Sequence, residues 1–344
     1  MCNNFGIYIV ETNKFNFTIM KLILKYSFIL IVSAGVISMF SSCKKSTIPT
    51  VTTAPVTEKT ESTAKSGGNV TDDGGEAVTA RGVVWGKTEN PTITADNKTM
   101  NGIGTGSFVS EITDLDPDQT YYLRAYAVNK EGTAYGDQVS FTTEKATSVT
   151  DVEGNVYDLV YIGTQVWMAE NLKTTKFNDG SVIPNVIEKA EWINLTTPGY
   201  SWYSNNEDTY GKTYGALYNW YAVADERGLC PTGFHVPTDD DWNTLVTFAG
   251  GVDEAGGKLK EEGTIHWNTP NTAATDFYGF KALPGGRRCY EGNFWYIGEG
   301  ARWWTSTQFN TELAWSRNVS YNNAKVLRDY KEKTYGMSIR CVKD

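Results

Sequence analysis

Between residues 120 and 128 the chain alternates. Tyr122, Arg124, Tyr126 and Val128 fall on one side of an extended backbone, and Tyr121, Leu123, Ala125 and Ala127 on the other. This period of two is that of a β-strand. Asp116-Pro117-Asp118 and Lys130-Glu131-Gly132 bracket the run as turns, since Pro presets φ, Asp bonds its own backbone and Gly accepts a positive φ. Similar short runs fill residues 60–143, among them AVTARGVVWG, and predict an all-β sandwich. Two later segments keep a helical period. In YGALYNWYAVADERG, Leu217, Trp220, Tyr221 and Ala224 recur at i, i+3, i+4 and i+7, a single apolar stripe. In GFHVPTDDDWNTLVTFAGG, Trp242, Leu245, Val246 and Ala249 repeat that spacing.

The second helix also carries its own start and stop. Thr238 is the N-cap, Asp241 stands three positions on as an approximate capping box, and Gly250-Gly251 ends the helix. Asp239, Asp240 and Asp241 sit at the positive end of the helix dipole, each worth about 0.3–1 kcal/mol there. They are read as capping groups in preference to a catalytic carboxylate pair. Around these helices the pattern returns to strands. TDVEGNVYDLVYIGTQVWMAENL holds two strands that meet at Glu153-Gly154-Asn155, with a second turn at Gly163-Thr164. After the second helix, glycine- and aromatic-rich hairpins lead to a final strand, GMSIRCV. Trp303 and Trp304 are adjacent on one predicted strand, so a core covering one side of the sheet buries at most one of them.

The first 43 residues are read as a targeting segment, not as part of the fold. Lys21 and Lys25 precede YSFILIVSAGVISMF, an uncharged apolar run shorter than the roughly 20 residues a membrane span needs. Ser41-Ser42-Cys43 follows and resembles a bacterial lipobox, with Phe40 where a Leu is usual. In that signal the cysteine, here Cys43, receives lipid and becomes the new N-terminus. Met20 would give a more typical start to such a signal, and an uncleaved anchor is the alternative. The expectation is a lipoprotein of the bacterial envelope, held to the outer membrane and facing the periplasm or the surface. Residues 44–59, rich in Thr, Pro and Val, are read as a linker, and residues 144–150 as a second one before a domain spanning 151–344.

Composition narrows the function. The 344 residues suffice for two domains, and the net charge is -9, which argues against nucleic acid as a partner because that needs a basic face. Of five cysteines, Cys2 leaves with the signal and Cys43 takes lipid. Cys230, Cys289 and Cys341 then remain in an oxidising compartment, as one pair and one leftover.

Residues 50–143 resemble a fibronectin type III-like module through LDPDQTYYLRAYAVNKEGTAYG. Such modules are usually spacers or interaction domains. Across residues 144–344, GTQVWMAENLKTTKFNDG, YGALYNWYAV, LCPTGFHVPTDDDWNTL, GFKALPGGRR, WWTSTQ and YGMSIRCVKD occur in order and together resemble the Fibrobacter succinogenes major paralogous domain family, found in exported proteins of Bacteroidetes-type and Fibrobacter-type bacteria. That family is similar in layout to the C-type lectin-like and formylglycine-generating-enzyme fold. HVPTDDDW, LPGGRR and GMSIRC carry this second likeness. The implied fold class is mainly β: an N-terminal β-sandwich, then a lectin-like α+β domain with two helices and long aromatic loops. In that fold a cysteine near the helix commonly bridges to the last strand. This implies Cys230–Cys341, a loop of about 110 residues worth roughly 3–5 kcal/mol, with Cys289–Cys341 as the other pairing.

The resemblance raises an enzyme and a lectin, and the residues are weighed against both. A formylglycine-generating oxidase uses a closely spaced cysteine pair, whereas Cys289 and Cys341 are far apart. Related iron enzymes use several histidines, whereas this chain has two, His235 and His266. His235 is read as a packing residue at the helix entry. No catalysis and no cofactor are expected. Calcium lectins of this fold carry Glu-Pro-Asn or Gln-Pro-Asp, which the second domain lacks. Asn205, Glu207 and Asp208 in NNEDTYG are the one weak calcium candidate, with a solvated turn as the plainer reading. Two aromatic groups remain. Trp202, Tyr203 and Tyr210, with Trp295 and Trp303, are the candidate ligand-binding residues, because aromatic faces stack on sugar rings. The competing reading makes most of these rings core. The expected function is a lipid-anchored, non-catalytic binding module for polysaccharide or another surface protein. The alternative is a structural component of the envelope.

Overall fold

The alternation at residues 120–128 becomes the central strand of a sandwich. The computed structural model describes residues 45–94 and 97–344, so Cys43 lies outside the described residues. The chain divides into two units, Met1–Glu144 and Lys145–Asp344. The strands of the first are β1 (Thr50–Thr53), β2 (Ala64–Asp72), β3 (Ala80–Gly86), β4 (Asn97–Lys98), β5 (Gly106–Ile112), β6 (Thr120–Asn129), β7 (Gly132–Tyr135) and β8 (Val139–Thr142). One sheet has the order β1-β2-β5, the other β4-β3-β6-β7 with β8 also on β6. Tyr121, Leu123, Ala125 and Ala127 face inward, where Tyr121 and Leu123 join Val83, Ile112 and Phe141 in one cluster. The linker expected at 44–59 contains β1, which pairs with β2 and buries Val51. A Thr/Val-rich run suits a strand as well as a spacer, and here the strand wins.

The second unit holds β9 (Ser148–Thr150), β10 (Val156–Ile162), β11 (Gln165–Met168), β12 (Tyr200–Ser201), β13 (Leu217–Tyr218), β14 (Phe234–His235), β15 (Gly285–Arg288), β16 (Phe294–Ile297), β17 (Gly300–Gln308), β18 (Leu313–Ser320), β19 (Leu327–Glu332) and β20 (Val342–Lys343). Its main sheet runs β14-β20-β11-β10-β9, a second β17-β18-β19, and β15-β16 and β12-β13 form two-stranded pieces. The segment expected as a linker at 144–150 thus ends in a strand. The chain before β20 pairs irregularly rather than as one strand: Gly336 meets Arg288, Met337 meets Tyr218 and Ser338 meets Trp303.

The helix Asp239–Phe248 follows its sequence signals. Thr238 Oγ1 accepts from the Asp241 N–H at 3.1 Å, and the Asp241 carboxylate accepts from the Thr238 N–H at 2.8 Å. Trp242, Leu245, Val246 and Ala249 are all buried, and Gly250 and Gly251 take φ values of 108° and 89°, which suit glycine. The earlier helix is shorter than its stripe predicts. Only Trp220–Val223 is helical, capped by Asn219. Leu217 and Tyr218 instead pair with Ser201 and Tyr200, and Tyr218 also exchanges backbone hydrogen bonds with Met337. These tertiary partners override the local period, and Ala224 is left exposed.

Strand β17 divides two cores. Trp303 packs with Trp167, Trp242 and Phe280, while Trp304 packs with Tyr157, Tyr218 and Met337. They are 1% and 0% exposed. The expectation that at most one is buried fails because this sheet is covered on both faces. Cys230 and Cys341 form a disulfide across 111 residues, and Cys289 is free and buried.

Candidate functional site

The candidate aromatics do not converge on one surface. Trp303 is core, and its Nε1 donates to Asn171 Oδ1 at 2.9 Å, so it cannot serve as a stacking surface. Trp202 and Tyr203 are 5% and 7% exposed. Tyr210 is half-buried, edge-on to Tyr203 at 5.1 Å. Trp295 alone is open, at 55%, and it lies on a different strand, β16.

Trp202 nevertheless contributes to a cleft of about 570 Å³. Tyr200 leaves β12 and stands edge-on to Trp202, with ring centroids 5.4 Å apart. The chain then turns tightly through Tyr203–Asn205 and Glu207–Gly211. Gly211 lies so close to the indole that a Cβ would meet it at 2.7 Å. That close approach carries Glu207 and Lys212 to the cleft wall. The facing wall comes from the turn before β10 and the segment after β11, which supply Glu153, Asn155, Lys173 and Thr175.

The polar groups are partly pre-set. Glu153 accepts from the Thr175 N–H, from Thr175 Oγ1 at 2.8 Å and from Thr174 Oγ1 at 3.2 Å. Lys212 pairs with Asp208 at 2.9 Å. Burial, helped by Glu207 and Glu153, pushes the Tyr200 hydroxyl up to about 12, so it stays protonated at neutral pH. The cleft thus combines two carboxylates, two amines and two aromatic rings. Such a set can accept from and donate to hydroxyl groups, while the rings, each 5% exposed, add only a narrow apolar edge.

The calcium candidate resolves into separate contacts. Asn205 Nδ2 donates to the Ile187 carbonyl, Asp208 is committed to Lys212, and Glu207 lines the cleft. Among the described residues no group of three or more His, Cys, Asp or Glu is placed to hold a metal ion. His235 is not a packing residue. Its Nδ1 lies 2.7 Å from Asp344 and its Nε2 3.2 Å from Asp241, tying the last residue to the helix cap. Sequence reasoning missed Glu153 and Lys173, which stand far from Trp202 along the chain and carry no local signal.

Over residues 160–343 the chain matches the model of the Fibrobacter succinogenes major domain. Among solved structures it is similar to the sensor domain of the anti-sigma factor RsgI4 from Pseudobacteroides cellulosolvens, at 17% identity over 30% of this chain and 100% of that one, with a TM-score of 0.23. It is also similar to the FN1–FN3 domains of chicken CNTN1, at 16% identity over 29% of this chain and 32% of that one, TM-score 0.23. A third is the sixth fibronectin type III domain of human fibronectin type III domain containing protein 3, at 25% identity over 32% of this chain and 93% of that one, TM-score 0.21. No curated protein matches.

Proposed function

Because the chain belongs to the Fibrobacter succinogenes major domain family across residues 160–343, we propose that its second unit is a non-catalytic binding module for saccharide. The module is carried on a lipoprotein of the bacterial envelope with Cys43 as the lipidated residue. The observation that carries the reading is the open cleft at Tyr200 and Trp202, with Glu153, Glu207, Lys173 and Lys212 on its walls. A sugar presents an apolar face and a ring of hydroxyls. The exposed edges of the two rings meet the first, while carboxylates accept from the hydroxyls and amines donate to them. Glu153 already spends its oxygens on Thr174 and Thr175, which supports a positioning role over proton transfer. A second reading, docking on another envelope protein, is favoured by Phe309 and Tyr330. These rings stack at 4.5 Å and are each 45% exposed.

Titration of the purified protein with a panel of neutral soluble polysaccharides tests the first reading. Saturable binding is expected. Glu207→Gln and Lys212→Ala, both at exposed positions, should each weaken it by about tenfold, the loss of one hydrogen bond to a charged group. Binding that ignores both substitutions would move the site elsewhere, and no binding would leave the docking reading.

A further inference from the structure

The hairpin β15–β16 builds a second cleft. Gly286 takes φ 67°, and a Cβ there would lie 2.4 Å from the Trp295 carbonyl oxygen, so only glycine lets the strands close this tightly. Tyr296 also sits at φ 71°, a conformation that is strained for a bulky residue. The register sets Arg287 opposite Trp295. A cleft of about 310 Å³ results, lined by Arg287, Tyr290, Glu291, Trp295, Tyr296 and Tyr335, with the Cys289 thiol.

The arginines here are unlike the others in this unit. Arg287 lies 5.0 Å from the centroids of both Tyr296 and Tyr335, and Arg302 lies 4.5 Å from that of Tyr296. Each has a buried Nε without a hydrogen-bond partner, as Arg317 also does, but unlike Arg317 neither makes an ion pair among the described residues. Buried Arg288 and Arg340 donate to carbonyl and amide oxygens, and Arg317 to a carboxylate. The nearby acids are engaged elsewhere: Asp329 holds Lys331, and Glu291 accepts from Tyr290. Burial, and then the charge of Arg287, pushes Arg302 down to about 10, so the Arg302 cation persists at neutral pH. An acidic chain, with 40 carboxylate residues against 31 Lys and Arg, leaves two neighbouring guanidiniums without an ion-pair partner, Arg302 being offset only at a distance by Asp329, an arrangement that a bound anion relieves.

We propose that this cleft binds a saccharide carrying a single carboxylate or sulfate ester, with Arg287 taking the anion, Arg302 adding positive charge from beside Tyr296, and Trp295 and Tyr296 taking the ring. The exposed rings set the class. Trp295, Tyr290 and Tyr296 are 55%, 44% and 40% exposed, and a bare inorganic anion has no use for them. Glu291 disfavours a second negative charge on the ligand. The site shares no residue with the Tyr200–Trp202 cleft and does not depend on it.

The test titrates the full chain with a disaccharide carrying one galacturonate residue, its methyl ester and a monosulfated disaccharide, following tryptophan fluorescence at low and high salt. One of the acids should bind about tenfold or more tightly than the ester, and salt should weaken it. Arg287→Gln should abolish that preference and Arg287→Lys should restore part of it, because lysine keeps the charge and loses the planar fork. Glu207→Gln should change nothing here. Equal affinity for acid and ester, indifference to Arg287→Gln, or no binding of either acid would overturn the proposal. So would tighter binding of an acidic dipeptide, which would make the ligand a peptide.

Discussion

Asp239→Ala should destabilise the second unit by about 3–5 kcal/mol, the range for breaking a buried ion pair from one side. Asp239 opens the helix Asp239–Phe248, and its side chain is 10% exposed. Arg317 Nη2 donates to it at 2.7 Å and Arg328 Nε at 2.9 Å. Arg317 is 4% exposed and also donates to Asn243 Oδ1. Without the carboxylate a guanidinium stays buried with no counter-charge, and the helix loses an acid from its first turn. Denaturant unfolding of the variant measures the loss. Asp240→Ala, at an exposed position of the same turn, should stay within about 0.5 kcal/mol of the parent. The pair Asp239→Ala with Arg317→Met should recover part of the stability, because both charges are then gone.

Trp303→Ala should cost about 3–5 kcal/mol, as large-to-small changes in a tight core do. The ring lies against Trp242 at 5.3 Å and Phe280 at 6.1 Å. Its Nε1 partner, Asn171, is also held by Arg340, so the cavity would open beside a buried polar network. Trp295→Ala should leave unfolding within about 0.5 kcal/mol of the parent. One tryptophan is thereby assigned to the core and the other to the surface, although the sequence places both in aromatic-rich hairpins.

The helix Asp239–Phe248 was legible because caps and stripe act over neighbouring residues. The stripe from Leu217 to Ala224 misled because Tyr218 finds its partners in Tyr200 and Met337, contacts no window of the sequence contains. The burial of both Trp303 and Trp304 was hidden for the same reason: the layers on the two faces of β17 come from segments remote in the chain. The Cys230–Cys341 pairing came from the resemblance to a fold, since three cysteines alone leave it open. Of the candidate site, the aromatic types were readable and their exposure was not. Glu153 and Lys173 reach Trp202 only through the packing of three segments, and Arg287 and Arg302 stand out only by the partners they lack.

The central claim, a saccharide site at Tyr200 and Trp202, is tested most directly by hydrogen exchange. The backbone amides are followed with and without the neutral saccharide that binds most tightly in the panel. The account predicts slowed exchange in the segments 153–155, 173–175 and 206–212, and unchanged exchange in Phe294–Ile297. Protection confined to the strands around Phe309 and Tyr330, or no saccharide that binds at all, would contradict it.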